Sequence, residues 1–201
     1  MAALDVKNVS ADPVEQFEKW FNEALKANVL EPNAMNLATI SAAGKPSSRI
    51  VLLKGIERKR LLFYTNYQSQ KGRELAGNPA CALNFFWPEL ERQVRISGYA
   101  ERASVSESDE YFRTRPHESQ IGAWASPQSA VIANRDILEQ RAAEMEKKFE
   151  GMSLVPRPQQ WGGFAVTAFE FEFWQGRPGR LHDRVLYTLE GNLWKINRLA
   201  P

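Results

Sequence analysis

Cys81-Ala82-Leu83-Asn84-Phe85-Phe86-Trp87, followed after a turn by Gln93-Val94-Arg95-Ile96-Ser97-Gly98-Tyr99, is the stretch whose reading decides the fold. Both runs are short, apolar and aromatic, and turn formers bound them, which is the pattern of strands. Upstream the pattern repeats in Met35–Ile40, Ser48–Lys54 and Arg60–Thr65, with Ala43-Gly44-Lys45-Pro46 as one of the turns. The five runs predict an antiparallel meander with one interruption: Ser69 caps a short helix that Gly77-Asn78-Pro79 terminates.

Working outward, Asp12-Pro13-Val14-Glu15 reads as a helix start, with Asp12 as cap, Pro13 in the first position and Glu15 able to close a capping box. Val14, Phe17, Phe21, Ala24 and Leu25 continue it as an apolar stripe to about residue 27. Beyond Tyr99, Ser106 with Asp109 resembles a second capping box, and Pro116 closes that helix. Another helix spans about Arg135 to Phe149, and strands return at Gly163–Trp174, Leu181–Thr188 and Leu193–Arg198. Strands, helices and strands again predict an α+β fold around a closed or nearly closed antiparallel barrel. The expectation is one domain over residues 1–201, with 1–11 flexible.

A chain of 201 residues and 22.9 kDa holds one domain or two small ones, and about 70% of its unfolded surface is available for burial. With 43% hydrophobic and 25% charged residues it reads as globular rather than disordered. Net charge is only +2 and the signs alternate, so no nucleic-acid or membrane footprint shows. The single cysteine, Cys81, excludes an internal disulfide, and with only His117 and His182 beside it a structural zinc site is excluded too. Met1 to Ser10 holds no apolar leader, and no run is long enough to span a bilayer, which points to a cytoplasmic protein.

Chemistry concentrates in Trp174-Gln175-Gly176-Arg177-Pro178-Gly179-Arg180-Leu181-His182-Asp183-Arg184. If residues 180–184 are extended, Arg180, His182 and Arg184 share one face. Such clustered cations ask for an anion; a solvated edge strand is the alternative. Tyr111 and Arg115 share a helix face and Ser119 follows just beyond, a set suited to a phosphate monoester, or else an exposed helix end with a packed tyrosine. Lys71 lies in the first turn of the short helix, where free N–H groups attract anions. Arg49 and Lys54 differ by an odd number, so alternation sends them to opposite faces unless a bulge intervenes. Phe169, Phe171 and Phe173 read as one core face, Glu170, Glu172 and Trp174 as the other. Nucleophile-elbow, Walker, dinucleotide and zinc-protease motifs are missing. Cys81 reads as a core thiol and His117 as a surface histidine.

Together Arg49-Ile50-Val51-Leu52-Leu53-Lys54-Gly55, Phe63-Tyr64-Thr65-Asn66, Arg92-Gln93-Val94-Arg95, Ser119-Gln120-Ile121-Gly122-Ala123, Gln128-Ser129, Glu172-Phe173-Trp174-Gln175-Gly176, Arg180-Leu181-His182-Asp183-Arg184 and the ending Arg198-Leu199-Ala200-Pro201 resemble the pyridoxamine 5'-phosphate oxidase family. The likeness runs from about Asp12 to the last residue. It implies an FMN-binding split β-barrel of Greek-key type with peripheral helices, homodimeric with FMN at the subunit interface. The activity implied is oxidation of pyridoxine or pyridoxamine 5'-phosphate to pyridoxal 5'-phosphate, with O2 becoming H2O2. FMN contacts then fall on Arg49, Ile50, Val51, Leu52, Tyr64, Thr65, Gln70, Lys71, Gln93, Gln128, Ser129, Trp174 and Arg184. Substrate contacts fall on Lys54, Tyr111, Arg115, Ser119, Arg180 and His182. Arg180 and His182 would be catalytic, with His182 the leading candidate for the proton acceptor. Gln70 replaces a basic residue usual in the family, which should weaken FMN binding by about 1 kcal/mol. A split-barrel flavin reductase and a non-catalytic flavin or pyridoxal phosphate carrier are the alternative readings.

Overall fold

The computed structural model describes residues 4–201. Five α-helices and nine strands are found there: α1 (Pro13–Lys26), β1 (Ala34–Ile40), β2 (Pro46–Leu52), β3 (Gly55–Glu57), β4 (Arg60–Asn66), α2 (Gln70–Gly77), β5 (Ala80–Trp87), β6 (Arg92–Arg102), α3 (Val105–Thr114), α4 (His117–Ala125), α5 (Asp136–Phe149), β7 (Trp161–Gln175), β8 (Asp183–Glu190) and β9 (Leu193–Leu199). All strands join one antiparallel sheet in the order β2-β1-β5-β6-β7-β4-β3, with β8 added to β7 and β9 to β8. The fold is α+β, as the strand and helix pattern predicts. The meander is corrected, because α2 carries the chain away after β4: β5 pairs with β1, and β4 pairs with β7.

β7 explains why the barrel is split. One edge pairs with β6 along nearly its whole length, while the other serves β4 over residues 161–167 and β8 over residues 170–175. At the changeover a bulge leaves Phe169 without a counterpart, Gly98 facing Ala168 and Ser97 facing Glu170. Phe171 and Phe173 are fully buried as predicted. Phe169 is not in that row: the extra residue turns it outward against Tyr99, ring centroids 5.0 Å apart.

The main core lies beneath α1. Asp12 caps that helix through the Val14 N–H, and the apolar stripe drives Phe17 onto Phe85 and Trp20 edge-on to Phe173. Replacing Phe17 or Phe173 by Ala would cost about 3–5 kcal/mol at such sites. A smaller core of Phe112, Ile121, Phe149, Val155 and Trp161 lies under α3, α4 and α5. The capping box that starts α3 is Ser104 with Glu107, two residues earlier than the sequence suggests. Neither β3 nor α4 is foreseen, since three residues are too few for a period and Pro116 hides the restart at His117.

The expected flexibility before Asp12 falls partly on residues 1–3, outside the described residues. Leu4 is buried in the main core, and Ser10 O accepts from Tyr187 Oη at 2.8 Å. Among the described residues no helix is long and apolar enough to cross a membrane.

Candidate active site

A cleft of about 470 Å³ opens where the end of β2, β4, α2, α3 and α4 converge. Ile50, Val51, Leu52 and Lys54 form one wall, Tyr64, Thr65 and Lys71 the floor, and Tyr111, Arg115, Ser119, Gln128 and Trp161 the far side. The Tyr64 and Tyr111 rings stack at 3.9 Å, and Trp161 lies nearly parallel to both. Burial, reinforced by nearby carboxylates led by Glu57, pushes the Tyr64 phenol up to about 12, so it stays neutral. Trp161 is held by Arg157, which bonds its carbonyl and reaches Asp109 at 2.6 Å.

Beside the exposed Lys54, a buried and a half-buried cation line this cleft with no carboxylate partner among the described residues. Lys71 is 9% exposed, and Nζ finds only Thr65 Oγ1 at 3.3 Å and Gln128 Oε1 at 3.4 Å. Burial, helped by repulsion from Arg49, holds its ammonium below the usual range. Its position depends on Gly72, where a Cβ would stand 2.3 Å from Tyr67 O, so only glycine lets α2 start this close to β4. Arg115 lies over Trp161, 4.5 Å from the ring centroid, and its Nη1 is buried without a hydrogen bond. Burial lowers its guanidinium too. A buried cation without a partner is costly, and an anionic ligand removes that cost for both groups. Two phosphates therefore suit the donor set, and the apolar wall of Ile50, Val51 and Leu52 suits a flat ring between them.

The other predicted residues lie elsewhere. Arg49 points its guanidinium at Thr39, Ser47 Oγ at 2.6 Å and Glu74 Oε2 at 3.2 Å. Glu74 also accepts from Thr39, Ser47 and Gln70, the last at 2.9 Å. Burial would raise its carboxyl, but those hydrogen bonds outweigh burial and bring it down to about 2. Ser129, at φ +69, is not part of the cleft lining beside Gln128. Lys54 sits beyond the end of β2, so the face-parity question between it and Arg49 does not arise.

A second group gathers at the far end of β7. Gln93, Trp174 and Arg184 stand in register across β6, β7 and β8. Arg184 Nε donates to Glu172 Oε1 at 2.7 Å and Nη1 to Ala200 O at 2.8 Å, while Glu172 also pairs with Arg95 at 3.2 Å. His182 packs on Trp174, ring centroids 4.6 Å apart. The extended run 180–184 is not found. Pro178–Arg180 forms a 3-10 turn with Gly179 at φ +69 and Arg180 at φ +61, and β8 begins only at Asp183. Pro178 and Gly179 break the strand, leaving Arg180 exposed on the turn. Trp161 and Trp174 are thirteen residues apart on one strand, about 40 Å if straight, so the two groups stand well apart along β7.

Trp161, Glu74 and Glu172 escape the sequence reading: a lone Trp before two glycines reads as core, and acidic residues read as solvated faces.

An antiparallel sheet split at a shared strand, beside a cleft of unpaired cations and aromatic rings, defines a split-barrel enzyme class. The chain matches the family described as "Pyridoxamine 5'-phosphate oxidase" over residues 21–149 and the "Pyridoxine 5'-phosphate oxidase C-terminal dimerisation region" over residues 161–201. It is 61% identical to pyridoxine/pyridoxamine 5'-phosphate oxidase of Chromobacterium violaceum, covering 98% of this chain and 92% of that protein. With the protein of that name from Cytophaga hutchinsonii the identity is 54%, over 99% and 93%. PhzG from Burkholderia lata, solved in complex with tetrahydrophenazine-1-carboxylic acid, superposes with a TM-score of 0.92 at 32% identity over 99% and 98% of the chains. A pyridoxamine 5'-phosphate oxidase-related, FMN-binding protein from Nostoc punctiforme shares the fold, with a TM-score of 0.73 at 16% identity over 96% and 100%. The chain belongs to the pyridoxine/pyridoxamine 5'-phosphate oxidase family and is an oxidoreductase.

Proposed function

We propose that this chain, as a single domain forming a homodimer, oxidises pyridoxine or pyridoxamine 5'-phosphate to pyridoxal 5'-phosphate, using FMN and O2 and releasing H2O2, with ammonia from the amine. The observation that carries this reading is the buried Lys71 and the half-buried Arg115, facing one cleft without a carboxylate partner among the described residues. They supply one positive site at each end for two phosphorylated ring compounds.

The chemistry FMN would supply is acceptance of hydride from the substrate carbon that becomes the aldehyde, with O2 as the final acceptor of the electrons. Lys71, Thr65 and Gln128 would receive the flavin phosphate, with Arg49 and Gln70 behind them. Ile50, Val51, Leu52 and Tyr64 would line the flavin's seat. Lys54, Tyr111, Arg115 and Ser119 would clamp the substrate phosphate through charge-assisted bonds. Gln93, Trp174 and Arg184 would complete the flavin's surroundings from the partner copy, where Arg184 would stabilise negative charge at the pyrimidine edge. Arg180 and His182 would hold the substrate ring, so much of the acceleration comes from alignment. A two-fold dimer supplies this geometry, because a self-complementary interface brings each cleft against the far end of the other copy's β7.

Peroxide release on adding pyridoxamine 5'-phosphate under air tests the reading. Bleaching of the flavin by a nicotinamide donor but not by this substrate would favour a reductase, and binding without turnover a carrier; either outcome overturns it.

A further inference from the structure

We propose that His182 acts as a hydrogen-bond donor through Nε2, its tautomer set by the Arg177 main chain, and that Asp183 is the positioning residue that keeps it so. The substrate's identity rests on the reading above; the tautomer does not.

The main-chain N–H of Arg177 lies 3.1 Å from His182 Nδ1. A peptide nitrogen has no lone pair to offer and can only donate, so Nδ1 must hold its lone pair toward Arg177. The proton of the neutral imidazole is then on Nε2. Trp174, packed on the ring, limits rotation that would exchange the two nitrogens.

The contact exists because the chain doubles back. Arg177 is extended, and the turn through Gly179 and Arg180, both at positive φ, returns residue 182 to the Arg177 N–H. Three segments are then tied to one carboxylate. Asp183 Oδ2 accepts from Arg177 Nε at 2.7 Å and from the Leu4 N–H at 3.3 Å, and Oδ1 accepts from Arg198 Nη1 at 2.9 Å. Burial opposes the charge on Asp183, but the bonds from Arg177 and Arg198 prevail and lower its carboxyl. Asp183 touches neither the imidazole nor the cleft; it acts through Arg177.

The chemical consequence is specific. An Nε2–H donor selects a ligand atom with a lone pair, the alcohol oxygen or the uncharged amine nitrogen, and disfavours an ammonium group. Nε2 already carries its proton, so it cannot also take the proton that leaves the substrate. His182 therefore orients the reacting heteroatom, and the acceptor of that proton is a different group.

The chain holds only two histidines, so the test is direct. FMN-loaded protein carrying 15N-histidine and the exposed-site substitution His117→Asn retains a single imidazole signal. Two-bond proton–nitrogen correlation at mildly alkaline pH should give the Nε2–H pattern. An Nδ1–H pattern, or rapid averaging of the two nitrogens, would overturn the proposal. Asp183→Asn should lose the single-tautomer pattern and lower kcat about a hundredfold, the scale of a misplaced group, while the visible flavin spectrum stays that of the loaded protein. An unchanged pattern would remove Asp183 from the role. Should Asp183→Asn fail to fold, Arg177→Gln is the second variant, with the same expected loss and rescue of the pattern by Arg177→Lys. Absence of peroxide from the parent protein would count against the oxidase reading and leave the tautomer result standing.

Discussion

The cleft and the far end of β7 treat positive charge in opposite ways. In the cleft, the buried Lys71 and the half-buried Arg115 pack against hydroxyl, amide and aromatic groups. At the far end, Arg184 and Arg95 share Glu172, and Arg177 and Arg198 share Asp183. A cation locked to a carboxylate has its direction fixed and much of its field cancelled, so it suits orienting a ring or its polar edge. One left without a carboxylate keeps its field for an anion. On the proposed function, the difference would divide phosphate binding from ring positioning.

The largest expected effect tests whether the halves come from different copies. With substrate held well below KM, Arg115→Ala and His182→Ala should each lose nine-tenths or more of the rate, yet mixed dimers of the two should regain about a quarter of the wild-type rate. Half the dimers are then hybrids, each with one intact site. No recovery on mixing would place both halves in one chain. Next, Lys71→Met should weaken FMN binding by about 2 kcal/mol, roughly thirtyfold, in titrations of the apoprotein, while riboflavin, lacking phosphate, binds as before. Equal weakening of both flavins would break the contrast. Arg115→Ala alone should raise the substrate KM about tenfold or more and spare FMN affinity.

An acid titration sharpens the comparison from the Arg49 side. Glu74 has its carboxyl lowered to about 2 from an ordinary 4.5, so it stabilises the folded state above pH 4.5 and loses that contribution as pH falls toward 2. At most about 3 kcal/mol is involved. Chemical denaturation of Glu74→Gln should show a shallower acid limb than the parent, and identical limbs would remove Glu74 from that role. The smallest effect belongs to Gln70→Arg, which should tighten FMN by about 1 kcal/mol, as read by the same titration.

Much of this was legible in the sequence, for physical reasons that differ by residue. Phe17 and Phe21 announce α1 because a helix repeats every 3.6 residues, and Ser69 announces α2 because a cap is a local device. Spacing and helix ends offer Tyr111, Arg115, Ser119 and Lys71 as anion binders, with an exposed helix end as the alternative for the first three, and the cleft gathers all four. What escaped was non-local. Pairing of β4 with β7 depends on where α2 carries the chain, which no window of residues contains. The alternation of Arg180, His182 and Arg184 failed because Pro178 and Gly179 stop the strand. Likewise, Glu172 and Asp183 look like ordinary surface acids until the residues across the sheet are known.

The unpaired Phe169 gives β7 a phase slip. Before it, Phe164, Val166 and Ala168 face the interior; after it, Phe171 and Phe173 do. The strand is in effect two rulers joined half a division out of step. Excising that one residue would shorten no loop. It would set Ala168 and Phe171 two positions apart, so an unbroken strand would still face Phe171 and Phe173 inward but would lose the bulge, and with it the bend where β7 passes its edge from β4 to β8. Length is therefore inherited here as strictly as any side chain, whereas the tight turns at Gly44 and Gly191 carry no such arithmetic.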